Sequence, residues 1–293
     1  MTLWQALILG LVEGITEYLP ISSTGHLVLA SALLGLGDAG TPKQAIDGFN
    51  IVIQGGAILA VLGLYRARVI RMIAGLVGRD AAGRKLFFNI VVAFVPAAIL
   101  GPLLNDAIEA RLFHPVPVIA ALALGGACMI ALGPWQRRFF HDAAGDRGAE
   151  HAYLDIERLS WRLAFVIGLF QCLAMWPGMS RSMVTIVAGM LVGMRARHAA
   201  EFSFLLGLPT LGGACAFRLA KSMASGEQGI VDAIGWLPLV VGLATATVSA
   251  ALAIRWLVAW LNRHGLAVFG WYRIALAVVF AVLVLAGVIG DLQ

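Results

Sequence analysis

Between Glu13 and His26 the chain reads Glu-Gly-Ile-Thr-Glu-Tyr-Leu-Pro-Ile-Ser-Ser-Thr-Gly-His, which sets carboxylates, hydroxyls and an imidazole inside an apolar segment. Ionised groups at membrane depth cost about 3 kcal/mol or more each and are found there with a partner or a task. Glu13 and Glu17 are four residues apart, so on a helix they share a face. There they are placed to grip one hard cation, Mg²⁺ or Ca²⁺, or to work as an acid–base pair. Ser23 and His26 are three apart, neighbours on a first helical turn, where imidazole is placed to take a hydroxyl proton. Ser22 and Thr24 serve either as helix caps or as substrate ligands.

A second insertion of related design runs from Gln171 to Thr185 as Gln-Cys-Leu-Ala-Met-Trp-Pro-Gly-Met-Ser-Arg-Ser-Met-Val-Thr. Arg181 brings a planar cationic fork that suits a phosphate. It has no acidic sequence neighbour, so its anion comes from elsewhere: a substrate phosphate, Glu13 or Glu17 in the empty site, or a structural pair with Glu201. Ser180, Ser182 and Thr185 flank it as candidate substrate-binding hydroxyls, Thr185 being equally readable as helix packing. Gln54, Gln171 and Glu201 are candidates for a supporting layer. Both insertions read as a Pro break followed by a new helix start, whose positive end and free N–H groups favour an anion. Carboxylates, a cation, a hydroxyl–imidazole pair, an Arg and two helix starts suit phosphoryl transfer. Neither a P-loop nor an HExxH sequence occurs.

The elements that must position these groups are membrane helices. Apolar residues make up 60% of the chain and charged ones 13%, with a mean hydropathy of +0.89; soluble domains hold about 45–50% and 25%. Long continuous apolar runs exclude the short alternating segments of a β-barrel. The net charge of +5 sits in short loops, where it orients helices rather than binding nucleic acid. Cys128, Cys172 and Cys215 lack metal or disulfide spacing and read as packing residues. The start of the chain lacks the basic region of a signal peptide, and the first polar motif follows at once, so this segment is expected to be retained.

Runs long enough to cross a bilayer fall near 46–65, 86–104, 115–134, 200–220, 235–257 and 268–290. Residues 2–35 and 160–194 are instead apolar pieces interrupted by Pro and Ser, each piece too short to cross. Such interrupted pairs point to re-entrant hairpins lining a midplane site, the alternative being one kinked helix in each region. The halves align: Gly10-Leu-Val-Glu13 with Gly168-Leu-Phe-Gln171, Ser22 with Ser180, and Gly55-Gly56-Ala57 with Gly212-Gly213-Ala214. A re-entrant hairpin leaves the chain on its own side, but three spans move it across, so the second copy enters from the opposite face. The expected fold is therefore all-α and polytopic, with about six spanning helices plus two re-entrant hairpins in inverted-topology repeats. Residues 1–134 form the first repeat, 135–159 a cytoplasmic linker and 160–293 the second repeat, together making one functional membrane domain. Arg66, Arg68, Arg71, Arg79, Arg84 and Lys85 fall on one side with Arg137, Arg138, Arg147, Arg158, Arg195, Arg197 and Arg263. The opposite loops carry Asp38, Lys43, Asp47, Asp106, Glu109, Arg111, Lys221, Glu227 and Asp232. Positive-inside bias puts the first set in the cytoplasm, both termini outside, and the mouth of the first hairpin on the outer face.

These residues carry a resemblance. Glu13-x-x-x-Glu17 with Leu19-Pro20-Ile21-Ser22-Ser23-Thr24-Gly25-His26, and Pro177-Gly178-Met179-Ser180-Arg181-Ser182-x-x-Thr185, resemble the (E/Q)xxxE and PGxSRSxxT elements of the bacterial undecaprenyl-pyrophosphate phosphatase family associated with bacitracin resistance. Similarity runs on through Gln54-Gly-Gly-Ala and Glu201-Phe-Ser-Phe. The resemblance implies hydrolysis of a C55 polyprenyl pyrophosphate to the monophosphate carrier lipid and inorganic phosphate, in the bacterial inner membrane. It implies that Glu13 and Glu17 hold the divalent cation and pyrophosphate, that Ser23 and His26 perform the displacement, and that Arg181 stabilises the transferred group. It leaves open whether Ser23 or His26 is the nucleophile or His26 activates water. The rival class is a secondary transporter or lipid flippase using the same midplane site. The sequence leaves a homodimer open.

Overall fold

The computed structural model describes residues 1–36, 43–145, 153–224 and 230–287. Asp38, Arg147 and Glu227 lie outside the described residues. Among the described residues twelve α-helices follow one another: α1 (Leu3–Tyr18), α2 (Ser23–Leu33), α3 (Lys43–Leu64), α4 (Arg66–Leu76), α5 (Ala81–Leu112), α6 (Pro115–Gly145), α7 (Trp161–Gln171), α8 (Arg181–Leu191), α9 (Ala196–Ala224), α10 (Ile230–Ile234), α11 (Trp236–Leu261) and α12 (Ala267–Leu285). Among the described residues the only β-type pairing is an isolated bridge between Leu154 and Met194. The fold is all-α, and α3, α5, α6, α9, α11 and α12 are each long and apolar enough to cross a membrane.

Several of these helices outrun the apolar stretches read from sequence. Hydropathy marks only the part of a helix that lies in hydrocarbon, whereas backbone hydrogen bonding continues into the interface. So α5 carries Arg84 and Lys85 at one end and Asp106 and Glu109 at the other. Likewise the basic stretch expected as a loop after residue 65 contains a helix, α4.

The two interrupted regions are broken rather than kinked. α1 opens on a capping box, in which Thr2 Oγ1 accepts from Gln5 N while Gln5 Oε1 accepts from Thr2 N. It stops at Leu19, which is extended ahead of Pro20, and the chain re-enters a helix only after Ser22, at φ 75°. α7 gives way to a 3₁₀ turn over Cys172–Met175, then passes through Gly178 at φ 94° and Ser180 at φ 69° before α8. Ser22 and Ser180 are aligned positions of the two halves, and among the described residues they are the two non-glycine positions with positive φ.

Helix pairing is also doubled. α1 packs on α11 as α7 packs on α5, α3 on α11 as α9 on α5, and α4 on α5 as α10 on α11, while α3 meets α9 and α6 meets α12. The aligned glycines explain the closest of these approaches. A Cβ on Gly10 would strike the Gly242 carbonyl, and one on Gly168 would strike the Ala93 carbonyl. The halves differ in depth, however. Residues Ser182–Met190 of α8 are all buried, whereas α2 buries only Gly25. Helix α8 is therefore packed in the core, and α2 borders the accessible side of the site.

Candidate active site

The two breaks meet. Ser182 Oγ, in the first turn of α8, donates to the Leu19 carbonyl at 2.9 Å and ties the start of α8 to the end of α1. Glu17, in the last turn of α1, then joins three elements with one carboxylate. Its Oε1 accepts from Arg181 Nη2 at 3.1 Å, and its Oε2 accepts from Ser23 Oγ at 2.6 Å. The ion pair is nearly dry, with side-chain exposures of 9% for Arg181 and 6% for Glu17. Removing one member of such a pair leaves an uncompensated charge, at a cost of about 3–5 kcal/mol.

Arg181 is fixed from three sides. Its Nη1 donates to the Ser203 carbonyl at 2.9 Å, and its guanidinium carbon lies 5.3 Å from the centre of the Tyr18 ring. On the third side α9 presents Gly207, where a Cβ would stand only 2.7 Å from Nη1. Arg181 Nε is buried without a partner, a donor still free for an incoming oxygen. Thr185 braces the same turn from behind, donating to the Arg181 carbonyl at 2.8 Å and lying 2.6 Å from Ser203 Oγ. Ser180 Oγ caps Met183 N at 3.3 Å and lies 3.1 Å from Ser182 Oγ.

The Ser23–His26 hydrogen bond expected from their spacing is not formed. Ser23 turns to Glu17, and His26 Nδ1 lies 2.7 Å from the Ser22 carbonyl. A carbonyl only accepts, so Nδ1 carries a proton, and in the neutral ring Nε2 accepts from the Tyr272 hydroxyl at 2.7 Å. The physical reason is the unusual backbone of Ser22, together with a tyrosine from α12 whose ring lies parallel to the imidazole. Ser22 makes no side-chain cap bond.

Glu13 sits one turn before Glu17, fully buried, with Oε2 lacking any partner. Gln171, its aligned residue in α7, accepts from Thr210 Oγ1 at 3.1 Å. Thr24 is exposed at the edge of the site. Gln54 Oε1, on α3, takes the Cys215 thiol at 3.2 Å. Glu201 corrects one alternative: it pairs with Arg68 Nε at 2.8 Å on α4, and the carboxylate partner of Arg181 is Glu17. Sequence spacing overlooked Tyr18, Ser203, Gly207, Tyr272 and Arg273. Arg273 is fully buried on α12 and donates to the carbonyls of Gly178 at 2.8 Å and Ala121 at 2.9 Å, so it pins the second break to α6. A charged residue inside the apolar run 268–290 was the available signal.

The donor set fits a hard divalent cation. Two carboxylates stand one turn apart, and one of them has a buried oxygen that nothing in the protein satisfies. Among the described residues no group of three or more His, Cys, Asp or Glu is assembled. Such a cation would then complete its shell with phosphate oxygens and water, as Mg²⁺ commonly does.

Residues 6–279 match the family described as Bacitracin resistance protein BacA. The chain belongs to that family. Its relatives include a protein of Sorangium cellulosum named undecaprenyl-diphosphatase, 45% identical over 274 residues, which are 93% of this chain and 83% of that protein. A Cereibacter sphaeroides protein of the same name is 42% identical over 96% of this chain and 97% of its own length. Undecaprenyl-diphosphatase 2 of Rhodospirillum rubrum is 42% identical over 94% of this chain and 92% of its own length. The BacA match spans both halves, including each break and the α12 residues Tyr272 and Arg273 that reach back to them.

Proposed function

We propose that this BacA-family chain works as an integral-membrane hydrolase that removes the terminal phosphate of undecaprenyl pyrophosphate, yielding undecaprenyl phosphate and inorganic phosphate. The observation that carries this reading is Glu17, which holds the Ser23 hydroxyl of one break and the Arg181 guanidinium of the other. Released carrier lipid re-enters cell-wall synthesis, in keeping with a family described by bacitracin resistance.

In the proposed reaction the terminal phosphate takes Arg181 away from Glu17 Oε1 and uses the spare Nε donor as well. Glu17 is left with Ser23 as its hydrogen-bonded partner. Ser23 Oγ attacks the terminal phosphorus in line, its proton passes to Glu17 Oε2, and undecaprenyl phosphate departs from the breaking P–O bond. Water then cleaves the phosphoserine, releasing inorganic phosphate and restoring Ser23. The N–H groups at the starts of α2 and α8 face the phosphoryl oxygens, with Ser22, Thr24, Ser180 and Ser182 around them. A Mg²⁺ or Ca²⁺ ion held by Glu13 and Glu17 would neutralise pyrophosphate charge when bound. His26 Nε2, an acceptor in the neutral ring, takes the proton of the water that cleaves the phosphoserine.

The same reading places the protein in the bacterial inner membrane. The two breaks are hairpins of inverted repeats, residues 1–134 and 160–293, joined by a cytoplasmic linker at 135–159, with the site opening to the outer face. Doubled helix pairing and the shared backbone geometry of Ser22 and Ser180 support the repeats. The test is phosphate release from undecaprenyl pyrophosphate by purified protein in detergent, with and without a chelator. Hydrolysis needs no gradient, so turnover in detergent separates it from transport. Trapping phosphoenzyme in His26→Ala but not in Ser23→Ala identifies Ser23 as the nucleophile; the reverse pattern overturns that assignment.

A further inference from the structure

Helix α4 is built inside out for a helix that faces water. α3 ends at Leu64 and the next spanning helix begins at Ala81, so α4 lies where the chain turns back at one boundary of the apolar slab. Two of its three arginines turn to carboxylates of the protein. Arg68 pairs with Glu201 and Glu157, and Arg71 pairs with Asp80 and Glu157, all at 2.8 Å, around the buried Met72 and Gly75. Its outer face is apolar instead: Ile70, Ile73 and Leu76, with Val77 just beyond, are all more than half exposed. Ile70, Ile73 and Val77 recur at the spacing of a single helical stripe.

The rim of this face is cationic. Arg66, Arg79 and Arg84 are exposed, and among the described residues no salt bridge engages them. In the stretch 66–85 the acidic residue Asp80 is already committed to Arg71. An apolar stripe with unpaired arginines at its edges, lying level with the ends of two spans, matches the chemistry of a membrane interface. We propose that α4 is an interfacial helix seated in one leaflet, with Arg66, Arg79 and Arg84 binding the phosphates of anionic glycerophospholipids. This site is remote from Glu17 and Arg181 in the chain, and the inference is independent of the catalytic reading.

Two measurements on the full chain test it. A nitroxide is attached at Ile73→Cys after Cys128, Cys172 and Cys215 are replaced by Ser, and the protein is placed in nanodiscs containing phosphatidylglycerol. The expected result is ready collision with oxygen and little with a water-soluble nickel chelate. Free access of the chelate overturns the proposal, and so does a short spin–spin distance between two labelled copies, which would put a second chain on this face. Native mass spectrometry then follows retained phosphatidylglycerol. Each basic residue near an anionic surface contributes a factor of about 5, so R66Q/R79Q/R84Q lowers retention by up to about 100-fold, and the matching triple Lys variant keeps most of it. Equal retention by the Gln variant and the native protein overturns the lipid assignment.

Discussion

Gly207→Ala isolates the placement of Arg181 without touching a catalytic group. An added Cβ would stand 2.7 Å from Nη1, 3.0 Å from Nη2 and 3.1 Å from the guanidinium carbon. Ordinary contact needs about 3.5 Å, so the guanidinium must retreat by roughly 0.5–1 Å. Its bonds to the Ser203 carbonyl and to Glu17 measure 2.9 and 3.1 Å. Lengthened by that amount, both pass the useful limit of about 3.2 Å. A displacement of about 1 Å near a reacting centre costs on the order of 100-fold in rate. The helix itself gains, because Ala is favoured over Gly by about 1 kcal/mol in a helix interior. Initial rates of phosphate release should therefore fall about 100-fold while thermal unfolding in detergent changes little. Gly212→Ala, on the same helix with nothing within 4 Å of its Cβ, should leave the rate unchanged. Native turnover in Gly207→Ala would refute the claim that the guanidinium must sit where α9 holds it.

Arg181→Ala and Glu17→Gln should each reduce turnover by several orders of magnitude, and Glu17→Gln should also lower the melting temperature because it leaves Arg181 buried without its counter-ion. Tyr272→Phe removes the hydroxyl from His26 Nε2 but keeps the parallel rings, so a loss of about tenfold in kcat/KM, the worth of one hydrogen bond, is expected from steady-state kinetics. Ser22→Gly should raise the melting temperature slightly, since positive φ costs a non-glycine residue about 1 kcal/mol, whereas Ser22→Val should lower it. At the interface, Arg71 and the Gly83 N–H hold the Asp80 carboxyl below its ordinary value, and Arg71 and Arg68 do the same for Glu157. A depressed carboxylate contributes stability above its unfolded pKa and loses it as pH falls through the folded one. The segment 153–158 should thus become protease-sensitive below about pH 4, and Asp80→Asn should matter at pH 7 but little at pH 3.

The site was legible where chemistry and spacing coincide. Charged residues in an apolar run stand out, so Glu13, Glu17 and Arg181 were recoverable, as were the breaks at Pro20 and Pro177. What spacing could not convey is which partner each group chooses. Ser23 and His26 are equally close on a helical turn, yet one turns to α1 and the other to its own preceding carbonyl and α12. Those choices depend on tertiary placement of Glu17 and Tyr272. Gly207 was invisible for a related reason: a glycine among Gly212 and Gly213 shows nothing of the guanidinium it admits. Helix α4 was overlooked because the six cations of the stretch 66–85 drew attention to orientation and away from the stripe of Ile70, Ile73 and Val77.

The two breaks share a backbone and differ in chemistry, and that difference makes the cluster tolerable in an apolar protein. Each half-helix begins after a serine with positive φ, but only the second serine caps its helix, through Ser180 Oγ on Met183 N. Where the first half follows with Ser23, the second has Arg181; where the first has Glu13, the second has Gln171. Had both halves kept the acidic pair, four carboxylates would face one another in a low dielectric. Had both kept the arginine, two cations would. With Glu17 across from Arg181, the site closes a charge pair on itself, and Glu13 is left carrying the unpaired oxygen. An arriving pyrophosphate would bring the anion that Arg181 can exchange for Glu17, and a cation would satisfy what Glu13 lacks. Gln171→Glu tests this asymmetry. It would add a third carboxylate beside Thr210, and it should lower both stability and turnover even though it restores the residue of the other half.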